Sequence, residues 1–281
     1  MESVYISKGL VGLNESAFYG CQSLRDITIP EGIKRIDGYV FKNCSGVQTV
    51  SLPGTLVKLG DSAFYGCSSL TELTVPENVT VINGYTFKNC TSLEAVSLPE
   101  KLASISEAAF YGCTGLTEMD IPENVTNIYS YAFKNCTALK VINLPTSLVK
   151  ISESSFYGCK SLATVTIPEN VTVIDGYAFK SCTGLTDIQL PENLETIGGS
   201  AFYGCTSLAE VTIPEKVQKI DGYAFSRCSG LKEIDFTGDA PTIDSYSFSN
   251  VTADAKYPAG NTTWTVDKRQ NYGGKLTWSE Q

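Results

Sequence analysis

Cysteine recurs every 23 residues along this chain, ten times without a slip, at positions 21, 44, 67, 90, 113, 136, 159, 182, 205 and 228. Phenylalanine keeps the same step three residues earlier, from Phe18 and Phe41 to Phe225 and Phe248, and proline keeps it from Pro30 to Pro214. A period held over about nine-tenths of the sequence constrains the fold before any secondary structure is assigned. One repeat is too small to bury its own apolar side chains. Stacked on its neighbours, it lines them up in columns through a shared interior. Eleven repeats fit, beginning at residues 1, 24, 47, 70, 93, 116, 139, 162, 185, 208 and 231.

Residues 70–92 read LTELTVPENVTVINGYTFKNCTS. Leu70, Leu73 and Val75 form an L-x-x-L-x-L run closed by Pro76, and the alternation around Leu73 predicts a short strand that the proline ends. Val79, Ile82, Phe87 and Cys90 supply the remaining inward positions. The half from Gly84 to Cys90 has no strand alternation and is too short for a long helix. It predicts a tight turn or one turn of 3₁₀ helix on the opposite face. With strands about 4.7–4.9 Å apart, the parallel sheet would run for roughly 50 Å.

The first repeat starts at Met1 with the register intact, Val4 and Ile6 matching Ile27 and Ile29. A repeat array needs a polar cap at each end, so the sequence predicts a chain cut from something longer at its N-terminus. At the other end Ile243 and Phe248 keep the beat, but Asp254 falls where a core leucine is due. Residues 1–253 are therefore expected to be the repeat domain. Residues 254–281, with Tyr257, Trp264, Tyr272 and Trp278, are expected to be a C-terminal cap of different shape. A 46-residue superperiod overlies the repeat. Phe-Tyr-Gly-Cys at 18–21, 64–67, 110–113, 156–159 and 202–205 alternates with Phe-Lys-Asn-Cys at 41–44, 87–90 and 133–136 and Phe-Lys-Ser-Cys at 179–182. Tyr39, Tyr85, Tyr131, Tyr177 and Tyr223 stand two residues before the phenylalanine of the second kind.

Composition removes several function classes. With no histidine, Ser-His-Asp and Cys-His catalysis and every His-containing metal site are excluded. Lys and Arg total 21 against 30 Asp and Glu, a net charge of −9, which disfavours a nucleic-acid partner. No apolar run reaches the roughly 18 residues of a membrane span, so no membrane insertion is expected of this chain. No charged segment followed by an apolar stretch opens it, so no signal peptide is read.

The joint pattern L-x-x-L-x-L-P-x-x-L-x-x-I-x-x-x-A-F-x-x-C resembles the BspA-type leucine-rich repeat of surface proteins from mucosal anaerobic bacteria and some mucosal protozoa. The similarity covers residues 1 to about 253, and the tail Tyr257-Pro-Ala-Gly-Asn-Thr-Thr-Trp-Thr265 is similar to segments that close such arrays in gut bacteria. The expected fold is a leucine-rich-repeat solenoid, an α/β-type right-handed coil with a parallel sheet on one face and turns or 3₁₀ segments on the other. The resemblance implies a cell-surface or secreted location and a non-catalytic, adhesin-like ligand-binding module, one part of a longer exported protein. The asparagine position of commoner leucine-rich repeats is filled only at Asn78, Asn124, Asn170 and Asn193, so a full asparagine ladder is not expected.

Inward columns explain themselves by packing. The cysteines read as reduced, buried thiols acting as small hydrophobes rather than as disulfides or metal ligands, because a single-file column offers no ligand cluster and Val251 stands at the same position in the last repeat. No cofactor and no metal are expected. The outward positions beside the central strand residue are the candidate site. The first column holds Asp26, Glu72, Glu118, Asp187, Glu210 and Glu233; the second is mostly hydroxylic but includes Asp120 and Asp235. Eight of these twenty positions are acidic and none is basic, which points to a basic partner or bound cations, although a solvated face tolerates either sign.

The resemblance implies a host or neighbouring-cell extracellular protein as the partner, and this charge a basic one. The secondary surface is Tyr39, Tyr85, Tyr131, Tyr177 and Tyr223. These tyrosines read either as rings covering the core edge with lysine stems across them, or as a carbohydrate-binding surface. A purely structural spacer is a further alternative. A hydrolase acting through Glu118 and Asp120 would need an enclosed site, which an open repeat face lacks.

Overall fold

A computed structural model describes residues 4–281, so the expected start of the first repeat at Met1 lies outside the described residues. The chain forms two compact units, Met1–Pro145 and Thr146–Gln281, each a stack of coils. From Asp26 to Ile243 each coil contributes two strands, where the sequence predicted one. In the first unit the main strands run from Asp26–Thr28 through Glu72–Thr74 to Val141–Asn143. A second ladder of two-residue strands runs from Gly12–Leu13 and Arg35–Ile36 to Asn127–Ile128. In the second unit the corresponding ladders begin at Thr164–Thr166 and Lys150–Ile151. Pairing is parallel at one repeat's offset, as in Glu118↔Val141 and Val173↔Thr196. In the short strands one residue faces out and the next, such as Ile82, is buried.

Of the two expectations for the opposite side, the structure has the tight turn. It is hydrogen-bonded from coil to coil as regularly as the strands. Ser16 N, Phe18 N and Gly20 N donate to Gly38 O, Val40 O and Lys42 O of the next coil at 3.1, 2.9 and 2.8 Å. Such a turn needs two residues in the left-handed region. One position alternates Gly20, Asn43, Gly66 and Asn89, with φ 72°, 60°, 73° and 59°. Glycine and asparagine enter that region at least cost, which accounts for their use at this position of the superperiod. The other position holds Ser16, Tyr39, Ser62 and Tyr85, with φ 59°, 60°, 55° and 58°. A tyrosine there is held by its surroundings: Tyr39 N donates to Asp61 O at 2.9 Å and Tyr39 O accepts from Lys42 N at 3.1 Å.

Between strands and turns lies the core. Phe rings stack within each unit, for example Phe41 on Phe64 with centroids 5.4 Å apart and Phe202 on Phe225 at 5.1 Å. The cysteines do more than fill space. Buried thiols donate to a phenylalanine carbonyl of the preceding coil, as Cys67 Sγ does to Phe41 O at 3.2 Å and Cys228 Sγ to Phe202 O at 3.0 Å. All ten cysteines are free. Burial pushes the thiols of Cys90, Cys136 and Cys182 up to about 12, so they stay protonated donors. In Cys182 burial outweighs the backbone hydrogen bonds at Cys159 and Gly158, which pull the other way.

At the C-terminal end the main ladder continues through Glu233–Phe236, Thr252–Tyr257 and Lys275–Glu280. Glu233 faces Asp254 and Asp235 faces Lys256, a step of 21 residues, before the step from Thr252 to Lys275 returns to 23. Asp254 therefore does not fill the leucine place that strict counting assigns it; it joins the outward column. Over this end Phe236, Trp264 and Trp278 cluster, with centroids 4.7 Å apart for Phe236–Trp264 and 5.3 Å for Trp264–Trp278. Trp264 Nε1 donates to Gly238 O at 3.0 Å. The described residues contain one helical element, the 3₁₀ turn Val266–Lys268, and no helix long and apolar enough to cross a membrane.

Candidate interaction surface

The main strands alternate sides, so the residues flanking each buried central residue face outward. Asp26, Glu72, Glu118 and Asp120 in the first unit and Asp187 and Glu210 in the second are exposed, whereas Glu233 and Asp235 are half-buried. In the first unit the acids of the first column fall on every second coil, with Thr49 and Ala95 between them. Two coils span about 9.4–9.8 Å. In the second unit they fall on successive coils, with Glu210 facing Glu233 and Glu233 facing Asp254.

Four of the eight acids already have partners. Thr49 Oγ1 donates to Asp26 Oδ1 at 2.5 Å, and Asn143 Nδ2 to Asp120 Oδ1 at 2.5 Å. Lys256 pairs with Glu233 and lies 3.9 Å from Asp235. The hydrogen bond to Glu233 holds the Lys256 ammonium above the ordinary lysine range, and the Asp235 charge adds to it. The shortened step thus places a cation in columns that, counted to Asp235, hold none. Glu72, Glu118, Asp187 and Glu210 have no side-chain hydrogen bond or ion pair among the described residues.

Open troughs lie along this face. One of about 520 Å³ is lined by Ser51, Glu72, Thr74 and Glu77, and one of about 490 Å³ by Ser97, Glu100, Glu118 and Asp120. In the second unit a trough of about 480 Å³ is lined by Glu169, Asp187, Glu192 and Glu210. Their rims expose a third acidic column that column-by-column reading of the strand passed over. It follows the proline: Glu31, Glu77, Glu100 and Glu123, then Glu169, Glu192 and Glu215. The recurring Pro-Glu pair was the available signal. Some of these carboxylates also tie coils together, Glu31 Oε1 accepting from Gly54 N at 3.0 Å.

Apart from Lys256, the paired cations sit on the other ladder and the turn side. Arg35, Lys58, Lys150 and Lys219 lie on the short-strand ladder and pair with Asp37, Asp175 and Asp221. On the turn side Lys42 Nζ lies 4.9 Å from the Tyr39 ring centroid and 4.7 Å from that of Tyr65. Lys88, Lys134 and Lys180 stand 5.2, 5.2 and 5.1 Å from Tyr85, Tyr131 and Tyr177. These rings therefore face the chain's own ammonium groups. Tyr85 also donates to Glu107 Oε1 at 2.8 Å, which pushes its phenol up. Tyr223 has no such lysine. Among the described residues no three His, Cys, Asp or Glu side chains converge as metal ligands.

Asn78, Asn124, Asn170 and Asn193 each donate to a carbonyl of the preceding coil, at 3.0, 2.7, 2.9 and 2.9 Å, so the partial asparagine column supports the turns after the strands. The BspA type leucine rich repeat region family matches in six copies, over residues 1–113, 58–186 and 173–262. Among solved structures, a leucine rich cell surface protein from Faecalibacterium prausnitzii A2-165 is 27% identical with a TM-score of 0.57, covering 91% of this chain and 78% of its own. A leucine-rich repeat protein from T. pallidum is also 27% identical, with a TM-score of 0.53 over 65% of this chain and 77% of its own. One from Bacteroides ovatus ATCC 8483, 24% identical with a TM-score of 0.52, covers 99% of this chain and 91% of its own and shows the fold. No curated protein matches the chain. With its strand, proline, phenylalanine and cysteine columns stacked as described and the family matched along nearly its whole length, the chain belongs to the BspA-type leucine-rich repeat family.

Proposed function

We propose that this chain is a non-catalytic, adhesin-like module of a cell-surface or secreted protein, binding a basic extracellular protein of a host or neighbouring cell through the acidic strand face. The observation that carries this reading is the set Glu72, Glu118, Asp187 and Glu210, exposed without ion-pair partners along open troughs whose rims add further carboxylates. From Asp26 to Asp235 the two outward columns hold no cation, whereas Arg35, Lys58, Lys150 and Lys219 all lie on the other ladder, and Lys256 enters only at the shortened step. Complementary charge speeds encounter and rejects wrong partners more than it adds raw affinity. The family and the cell-surface relative support the location. Within this reading residues 1–253 are the binding array and residues 254–281 its cap. Glu118 and Asp120 line an open trough, an unsuitable setting for tuned acid–base chemistry, and binding without turnover is proposed.

The test is binding to a basic extracellular-matrix or mucosal protein at several salt concentrations, before and after Glu72, Glu118 and Glu210 are changed together to Gln. Affinity should fall and its salt dependence flatten. Unchanged affinity would discard the strand face. The carbohydrate reading through Tyr39, Tyr85, Tyr131 and Tyr177 is less well supported, because lysine ammonium groups lie over those rings.

A further inference from the structure

Four tyrosine-lined positions on the turn side are filled by the chain's own lysines, and a fifth is not. Lys42, Lys88, Lys134 and Lys180 follow one another at 46-residue steps, and the next step lands on Ser226. The tyrosine three residues earlier is nevertheless kept, as Tyr223. On the next coil stands Tyr246, its ring parallel to that of Tyr223 within 8° and 5.5 Å away. These two side chains are 46% and 55% exposed. Arg227 does not take over the missing role, since its guanidinium lies 5.5 Å from the Tyr203 ring. Among the described residues no cation lies over Tyr223 or Tyr246, and the exposed Asp244 beside them forms no close ion pair. The hydrogen bond to Asp221 holds the Lys219 ammonium above the ordinary lysine range, and the Asp244 charge adds to it.

We propose that Tyr223 and Tyr246 form a docking site for an ammonium group brought by a partner, the side chain of a lysine on a bound protein. The four filled positions show what this turn geometry accepts: a primary ammonium 4.6–6.0 Å from tyrosine ring centroids. That is the range in which the negative face of an aromatic ring attracts a cation. Buried Ser226 withdraws the internal ammonium while the Tyr223 ring remains. Ser249 stands where Tyr65 flanks Lys42 and Arg227 takes Tyr203, so Tyr246 on the next coil supplies the second ring, and Asp244 a neighbouring anion. The site stands apart from the strand face, so either can fail without the other. It would give a basic partner a second, chemically distinct hold.

The probe is Nα-acetyl-lysine methylamide, with the norleucine analogue as its uncharged counterpart, titrated into the full chain carrying isotope-labelled tyrosine. Ring signals of Tyr223 and Tyr246 should shift with the lysine probe, and the norleucine analogue should bind roughly tenfold more weakly. Ser226→Lys restores the repeat's own ammonium and should abolish the response; Tyr246→Ala should abolish it as well. Tyr85→Ala and the strand-face variants should leave it intact. No shift in the unaltered chain, equal binding of the norleucine analogue, or a full response in Ser226→Lys overturns the proposal. So does a preference of these rings for a methyl glycoside over the lysine probe.

Discussion

The two units of the chain, Met1–Pro145 and Thr146–Gln281, follow one interior pattern and differ outside. Phe18–Phe41 and Phe156–Phe179 stack at the same 5.3 Å, and Cys136 and Cys182 each donate to a phenylalanine carbonyl at 3.1 Å. On the strand face the units part. The first sets Thr49 and Ala95 between the acids of its first column and Val141 after them, so like charges in that column are two coils apart. The second places Glu210 opposite Glu233 and Glu233 opposite Asp254, and offsets that crowding with Lys256. Like charges directly opposite one another on neighbouring strands are destabilising. Packing therefore copies the inward columns from coil to coil, while charge density on the outward ones is free to vary and can carry specificity.

A common interior pattern predicts equal penalties for opening it. Phe87→Ala in the first unit and Phe202→Ala in the second should each cost about 3–5 kcal/mol in urea unfolding. A loss in one that is less than half the other would break the comparison. Thiol labelling sharpens it. Cys21 is the one cysteine of intermediate burial, so native labelling should modify the first unit at Cys21 and leave the other thiols until denaturation. Rapid labelling anywhere in residues 146–281 would show that the second core is looser.

Charge effects come next in size. Lys256→Met should lower the melting temperature of the second unit at low salt, with a smaller loss at high salt. The folded ammonium is raised above the ordinary lysine value of 10.5, so its stabilisation is present below that value and disappears as pH rises through the raised one. The gap in melting temperature between the unaltered chain and Lys256→Met should accordingly close at strongly alkaline pH. A gap that widened there would contradict the assigned ion pair. The smallest effect should be Glu210→Gln, stabilising the second unit by on the order of a few tenths of a kcal/mol. Glu72→Gln, with Thr49 and Ala95 beside it, should leave the first unchanged in paired thermal melts.

The period alone made the stack of coils, the Phe and Cys columns and the outward acids legible, because each is one residue type at one step. The short strands were not legible. Val81–Ile82 is two residues long, which leaves no alternation to detect. The left-handed turn had a visible sign in the exchange of Gly20 for Asn43, since few other residue pairs share that conformational freedom. Tyr39 in the same region gives no such sign, because backbone bonds to Asp61 and Lys42 hold it there. At the candidate site the acids were found but not their neutralisation. Lys256 reaches Glu233 only because the coil between Glu233 and Asp254 is two residues short, and a strict count of 23 places it elsewhere.

That shortened coil has a consequence for how such stacks can change length. A strand changes sides with every residue, so an even deletion moves a column without inverting it. Ala253, Ala255 and Tyr257 accordingly stay inside, and Thr252 and Asp254 stay outside. A slip of one residue in the pairing register instead would turn the alanines to solvent and drive the Asp254 carboxylate toward the aromatic cluster. Strand register in a stack of this kind obeys a parity rule, while the turns between strands absorb changes in coil length. Insertions and deletions between strands that keep the inward and outward alternation can alter the charge pattern outside while the interior keeps its order.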